Sequence, residues 1–311
     1  MSGILTGFAV IALMIVIGYL FARFGLVGDD QAARKALNKI SFIAAIPALV
    51  FTVIAETPIS YLFGVQVAIQ AIIALCAAAL FLLGIKLTNT KGVKAPDLIV
   101  GSFASGYVNS NNMGFPIAVF VLGNPRAVVP VMLLNLLVFA PIMLMLLDIT
   151  TTGKVSWKLV LMQPFRNPII PAAFVGALIS GLHITIPPYL WEPLRTLGGA
   201  AIPMLLMAFG MSLVGAKPLE AGQTSRRAVV ISSVLKSVAM PIMAFLLARY
   251  VFDLSPEGVF TAVVIGGLPT AQNIYNYAAQ FGRGEILARD VVLLTTLFSP
   301  VVLVLAALFL H

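Results

Sequence analysis

Residues 109–116 read NSNNMGFP and place three asparagines, a serine, a glycine and a proline inside an otherwise apolar run. Asparagine is unfavourable inside helices, and Pro116 lacks an N–H and clashes with the preceding turn. A second stretch of the same kind, GGLPTAQN, occupies residues 266–273. The pair predicts two helices that are each broken in the middle.

The composition around these stretches indicates a membrane protein. Of the 311 residues, 60% are hydrophobic and 10% are charged, with a mean hydropathy of +1.06. Soluble domains usually carry about 25% charged residues. The apolar runs are roughly 20 residues long, which suits transmembrane helices, whereas a barrel would show alternating segments of about 10 residues. The predicted fold class is therefore an all-α integral membrane protein in the lipid bilayer.

Several kinds of chemistry are poorly supported. Cys76 is the single cysteine, and His183 and His311 are the only histidines and lie far apart in sequence. A disulfide, a His/Cys metal site and Cys/His catalysis are therefore not predicted, and no cofactor is implied. The net charge of +8 is explained by cytoplasmic loop bias, so nucleic acid is not a predicted partner.

We predict ten transmembrane spans. They cover residues 3–23, 36–55, 62–86, 97–122, 127–148, 168–184, 194–215, 227–251, 257–281 and 287–310. The loops after odd-numbered spans carry 15 of the 19 Lys and Arg residues. By the positive-inside rule these loops are cytoplasmic, and both termini of the chain face away from the cytoplasm in the plasma (inner) membrane.

The two halves of the chain resemble each other. AAIPAL at 44–49 recurs as AAIPML at 200–205, MGFP at 113–116 as GGLP at 266–269, and FAPIMLML at 139–146 as FSPVVLVL at 298–305. We therefore predict a first five-helix repeat over 1–153, a cytoplasmic connector over 154–167 and a second repeat over 168–311. An odd number of spans inverts the second repeat, and inverted repeats are typical of secondary transporters.

The polar residues at the two breaks are the predicted binding site. Pro116 and Pro269 are expected to begin the second half of spans 4 and 9, because proline suits the first helical position. If the broken spans cross, two half-helix N-termini would favour a common anion, such as a carboxylate. The candidate residues are Asn109, Ser110, Asn111, Asn112, Pro116, Pro269, Thr270, Gln272 and Asn273. The alternative is that the prolines only kink the helices while the amides pair with freed backbone groups.

Charged residues inside the spans are rare. Every Asp and Glu falls at a loop or span edge, which disfavours a proton relay or a sodium site built from carboxylates. Sodium held by neutral oxygen atoms of Ser, Thr, Asn and backbone stays an alternative. Lys236 lies inside span 8 and either counters substrate charge, replaces a bound cation, or snorkels to a cytoplasmic crevice. Tyr107, Tyr275 and Tyr277 could stack on a substrate, but packing is the commoner role of such aromatic residues.

Three segments carry a family resemblance: FIAAIPALVF at 42–51, NSNNMGFP at 109–116 and GGLPTAQNIYNYAAQFG at 266–282. Together they resemble the auxin efflux carrier family, in particular its bacterial members, and the resemblance covers essentially the whole chain. The resemblance implies a scaffold of helices 1, 2, 6 and 7, often the homodimer contact, and a moving transport domain of helices 3–5 and 8–10. It also implies elevator-type transport of a small organic anion, such as a mono- or dicarboxylate, with Asn109 as the leading substrate contact.

The sequence thus predicts a secondary transporter and no enzyme. A sodium-coupled symporter of the bile-acid type remains the nearest alternative, because it shares this repeat plan. An intramembrane enzyme would need a paired acid and base at membrane depth, and none is visible. A receptor would bind its ligand without moving it across the membrane.

Overall fold

The computed structural model describes residues 2–28, 30–90, 92–154, 162, 167–214 and 225–310. Within these residues the secondary structure is helical, apart from turns and one isolated β-bridge. Six of the described helices are long and apolar enough to cross a membrane; they cover Ala32–Ala55, Ile59–Leu87, Pro125–Thr152, Pro188–Ser212, Arg226–Val251 and Glu285–Leu310. The protein is therefore a multi-pass, all-helical membrane protein.

The described part of the first half contains eight α-helical segments. They are α1 (Ser2–Arg23), α2 (Asp30–Ile40), α3 (Ile46–Ala55), α4 (Val65–Leu87), α5 (Ala95–Gly106), α6 (Phe115–Phe120), α7 (Val129–Leu134) and α8 (Ala140–Thr152). Short 3₁₀ turns at Ile59–Phe63 and Pro125–Val128 precede α4 and α7.

The described part of the second half contains eight more. They are α9 (Ile169–Gly181), α10 (Pro188–Gly199), α11 (Ala201–Ser212), α12 (Arg226–Val234), α13 (Met240–Leu246), α14 (Pro256–Gly266), α15 (Gln272–Phe281) and α16 (Glu285–Leu310). The predicted connector over 154–167 falls mostly outside the described residues. The ten-span plan and the boundaries of the two repeats stay predictions.

Four prolines explain why several spans are made of joined segments. Pro47, Pro116, Pro141 and Pro241 each follow a π-helical turn and occupy the second position of the next α-helical segment. The π-helical turns are Ser41–Ala45, Ser110–Gly114, Asn135–Phe139 and Leu235–Ala239. A proline clashes with the carbonyl four residues earlier, and one wider turn accommodates it without ending the helix.

The structure corrects where the second halves of the broken helices begin. Helical backbone resumes at Ser110, six residues before Pro116, because the π-helical turn absorbs the proline. In the other helix, Pro269 lies in non-helical chain and α15 begins only at Gln272. Residues that precede a proline favour extended backbone, which places Leu268 outside the helix. The prediction that a proline starts each second half is therefore wrong for Pro269, whereas Pro116 does lie in the first turn of α6, although helical backbone already resumes at Ser110.

The chain divides into two compact units. The first comprises Met1–Gly64, Asn111–Pro130 and Pro164–Ala216, and the second comprises Val65–Ser110, Val131–Gln163 and Lys217–His311. In the first unit α1 packs on α11, and α9 and α10 pack on α3. In the second unit α5 packs on α4 and α8, and α14 packs on α13 and α16.

Two adjacent glycines on α10 differ in how closely they approach α3, so their substitution by alanine tests this packing. A Cβ at Gly198 would lie 2.8 Å from the backbone N and Cα of Leu49, whereas a Cβ at Gly199 would have no neighbour within 4 Å. Overpacking against backbone typically costs about 1–3 kcal/mol, so we expect Gly198→Ala to lower the melting temperature of the detergent-purified protein. Gly199→Ala is the matched control, with a change below about 0.5 kcal/mol. Equal melting curves for both variants would contradict the close contact.

Candidate functional site

Two non-helical linkers interrupt the helices of the second unit. The first linker, residues 107–109, follows the end of α5 at Gly106, and the second linker, residues 267–271, follows the end of α14 at Gly266. Breaking a helix frees backbone N–H and C=O groups, and no water is available in the bilayer core to satisfy them. The breaks therefore need other hydrogen-bond partners inside the protein.

The two linkers pair with each other. Two backbone hydrogen bonds join them, one from the Asn109 N–H to the Pro269 carbonyl (2.8 Å) and one from the Ala271 N–H to the Tyr107 carbonyl (3.1 Å); together they form an antiparallel bridge at Val108 and Thr270. Each break thus satisfies backbone groups of the other, which explains how both persist in an apolar chain.

Neighbouring helices cap the carbonyl ends of α5 and α14. Gln70 on α4 donates its side-chain N–H to the Gly106 carbonyl at 3.4 Å. Lys236, in the turn between α12 and α13, donates its ammonium to the Gly266 carbonyl at 2.8 Å. The last carbonyls of a helix have no partner within it, so both contacts satisfy orphan acceptors. One cap is a neutral amide and the other is a cation.

Side chains on the span that follows each broken helix also bind the linkers. Asn135 donates its amide to the Val108 carbonyl at 3.0 Å. Thr295 on α16 accepts a hydrogen bond from the Thr270 N–H at 3.1 Å, and Thr270 donates its hydroxyl to the Ala104 carbonyl at 2.7 Å. Each broken helix is therefore held at its break by one side chain from the preceding span and one from the following span.

The structure brings seven of the ten predicted site residues into the second unit. Asn109, Ser110, Pro269 and Thr270 lie at or beside the linkers, Gln272 and Asn273 form the first turn of α15, and the ammonium of Lys236 contacts the end of α14. Asn111, Asn112 and Pro116 belong to the first unit.

Two of these residues have structural contacts that the sequence did not indicate. The Thr270 side chain is fully buried and donates its hydroxyl to α5. Lys236 is also fully buried, with its ammonium on α14. Lys236 therefore does not snorkel to a water-filled crevice, and that alternative is wrong.

The start of α15 is the more open part of the site. Gln272 is exposed and Asn273 is partly exposed, and the first N–H groups of a helix carry partial positive charge without an internal acceptor. The side chains of Asn273 and Tyr277 lie beside the Tyr107 hydroxyl. Both tyrosines are buried in the core of the second unit, as the packing interpretation predicts. The open amides and helix start can bind an anionic oxygen.

Three residues that hold the linkers were not among the predicted site residues: Gln70, Asn135 and Thr295. Gln70 and Asn135 are isolated amides in apolar spans next to a broken helix. A buried polar side chain needs a partner, and unwound backbone in the adjacent span is the obvious one. That pattern could have identified both residues.

A separate cavity of about 600 Å³ lies at the opposite end of α5. It is lined by Gly92, Val93, Lys94, Pro96, Asp97, Thr150, Thr151, Ser225, Gly282, Arg283, Gly284, Glu285, Ile286 and Leu287. The 12 residues of α5 separate it from the linkers by about 18 Å, at 1.5 Å per residue. Its carboxylates offset its cations, so we do not assign the anion site there. The cavity is lined by four segments that belong to predicted cytoplasmic loops or their edges. Their meeting at one cavity supports the prediction that these loops lie on the same side of the membrane.

Comparisons with known proteins identify the family of the chain. The sequence profile of the family described as membrane transport protein matches residues 4–154 and 152–306. A protein of Rhizobium meliloti named "Putative malonate transporter" is 29% identical over 295 residues, covering 92% of this chain and 89% of the relative. An uncharacterized transporter of Methanocaldococcus jannaschii is 23% identical over 305 residues, covering 95% of each chain. The chain belongs to this membrane transport family, the auxin efflux carrier family that its paired helix breaks resemble.

Proposed function

We propose that the protein is a secondary transporter of small carboxylates, which bind where the paired linkers meet the start of α15. The observation that carries the proposal is the pairing of two interrupted helices in one unit. Interrupted helices with free N–H groups form the substrate sites of many transporters. Asn109, Gln272 and Asn273 would contact the carboxylate directly, whereas Thr270 and Lys236 would shape the site from behind.

Malonate is the first substrate to test. It is a small dicarboxylate, and the Rhizobium meliloti relative that spans nearly the whole chain carries malonate in its name. Its two carboxylates could engage the N–H groups of α15 and the amides at the linkers.

The proposed mechanism is alternating access of the elevator type. The first unit contains α1–α3 and α9–α11, together with residues 111–130, and the second unit contains the paired linkers. In this proposal the second unit carries the substrate while the first stays fixed, with homodimers formed through the first unit. The division into two units supports this mechanism.

The proposed driving force is the membrane potential. Moving one charge through 100 mV is worth about 2.3 kcal/mol, so an anion can leave a negative interior without a coupling ion. Sodium-coupled uptake is the second candidate, since half-helix ends can coordinate sodium.

The proposal is tested with radiolabelled malonate in sodium-free proteoliposomes, with a potassium diffusion potential of either sign. We expect flux that follows the potential and exceeds that of protein-free liposomes. Competition by unlabelled mono- and dicarboxylates would define the substrate class. Flux that strictly requires sodium would favour the symporter. Folded protein with no carboxylate flux at all would overturn the transport proposal.

A further inference from the structure

Lys236 is a cation buried without a carboxylate. It belongs to the π-helical turn Leu235–Ala239, and its side chain is fully buried. Among the described residues, the one ion pair joins Arg289 and Asp290, and no acidic group lies within ion-pair distance of Lys236. Isolated buried charges are costly, so something else must compensate this one.

The compensation comes from the end of α14. The Lys236 ammonium donates to the Gly266 carbonyl at 2.8 Å, and Gly266 is the last residue of that helix. The C-terminus of a helix carries about half a negative charge, which favours a cation. The contact therefore joins a fixed cation to a fixed partial negative charge beside the second linker.

This is the type of position where coupled transporters bind their cation. In such proteins the carbonyl ends of half-helices and unwound backbone coordinate sodium or a proton. Here the Gly267 carbonyl also lies near the Ser299 hydroxyl, at 3.5 Å. Oxygen atoms of this kind suit a small monovalent cation, and the lysine ammonium already occupies the position at Gly266.

The other broken helix provides a comparison within the same unit. The Gly106 carbonyl at the end of α5 is capped at 3.4 Å by the neutral amide of Gln70. Capping a broken helix therefore does not itself require a positive charge. The cation at α14 needs a separate explanation.

We propose that the Lys236 ammonium is a built-in substitute for a coupling cation at the end of α14, so that the transport cycle does not use sodium. Removing the ammonium would leave the Gly266 carbonyl and its neighbours as a site that accepts sodium. This inference rests on the proposed transport function for its meaning, but its first test does not need any substrate.

The test compares thermal melting of the purified protein in sodium chloride and in choline chloride. Wild-type protein and Lys236→Arg, which keeps the charge, should melt at the same temperature in both salts. In choline chloride, Lys236→Ala and Lys236→Gln should have lower melting temperatures than the wild-type protein. In about 100 mM sodium their melting temperatures should rise by about 2–4 °C or more. Gln70→Ala is the matched control: it removes the cap of α5 without removing a charge, and its melting should not respond to sodium.

The outcomes separate the two proposals. Sodium-dependent recovery in either neutral variant, or folding of that variant only when sodium is present, supports the substitution whether or not malonate is transported. If the neutral variants have the same melting temperature in sodium and in choline, or fail to fold in both salts, the substitution proposal is overturned and Lys236 is only a structural cap. Sodium-dependent melting of the wild-type protein would overturn it as well. In proteoliposomes, we expect malonate flux to become sodium-stimulated only in the neutral variants.

Discussion

Asn109→Asp is expected to weaken malonate binding by about tenfold or more in the protein that remains folded. The substitution keeps the size of the side chain and adds a negative charge beside the second linker. Two like charges about 5 Å apart repel by roughly 3 kcal/mol at an effective dielectric constant of 20. The backbone bond from Asn109 to the Pro269 carbonyl does not involve the side chain and should persist.

Asn276→Asp is the matched control for that prediction. Asn276 lies on α15, one helical turn after Asn273, and its side chain is exposed. The same charge change at this position should alter binding much less, because Asn276 lies a helical turn further from the linkers and a Coulomb interaction weakens with distance. Malonate-induced thermal shifts and proteoliposome uptake measure both variants, with Asn109→Ala showing the effect of losing the amide alone. Equal malonate affinity in Asn109→Asp and wild type would show that the carboxylate binds elsewhere.

The general character of the fold could be predicted from residue composition and from two short stretches. Long apolar runs with few charges require lipid, and the structure confirms an all-helical membrane protein. The broken helices were also foreseeable, since NSNNMGFP and GGLPTAQN put residues that disfavour helices inside apolar spans. The family followed from the same stretches and is confirmed. The orientation of the termini, the dimer and the inverted repeat stay predictions.

The exact positions of the breaks could not be predicted, because they depend on contacts between distant segments. The sequence predicts that the second half of the broken helix starts at Pro116. In the structure a π-helical turn that begins at Ser110 accommodates this proline, so the break lies before Ser110. Asn135 binds the backbone 27 residues away, and Lys236 binds a carbonyl 30 residues away. The helix propensities of neighbouring residues show that a helix is weak in this region. Hydrogen-bond partners that are distant in sequence decide at which residue the helix ends.

The same dependence on distant contacts changes the role of Thr270. The sequence placed it among the substrate ligands, because it follows Pro269 in a polar stretch. In the structure its hydroxyl is turned towards α5 and bound to the Ala104 carbonyl, and its side chain is fully buried. Since α5 ends two residues later, at Gly106, Ala104 is among the last carbonyls that lack a partner within the helix. Thr270 therefore joins the second linker to the end of the first broken helix.

Thr270→Val should consequently act on the linkers rather than on a ligand contact. Valine keeps the shape and removes the donor, and a buried unsatisfied carbonyl costs about 1–3 kcal/mol. We expect a lower melting temperature in the absence of substrate, together with slower malonate transport. An effect on affinity alone, with unchanged melting, would return Thr270 to the group of substrate ligands.

Thr296→Val separates this effect from the general loss of a buried hydroxyl. Thr296 is buried on α16 beside Thr295, but its hydroxyl binds the Val292 carbonyl within its own helix. Bonds of that kind add little to helix stability, so its replacement should change the free energy of unfolding by less than about 0.5 kcal/mol. If both valine variants melt alike, the bond between Thr270 and Ala104 does not hold the linkers. If only Thr270→Val is destabilised, the pairing of the two breaks depends on that hydroxyl, and a substrate site built on the linkers depends on it too.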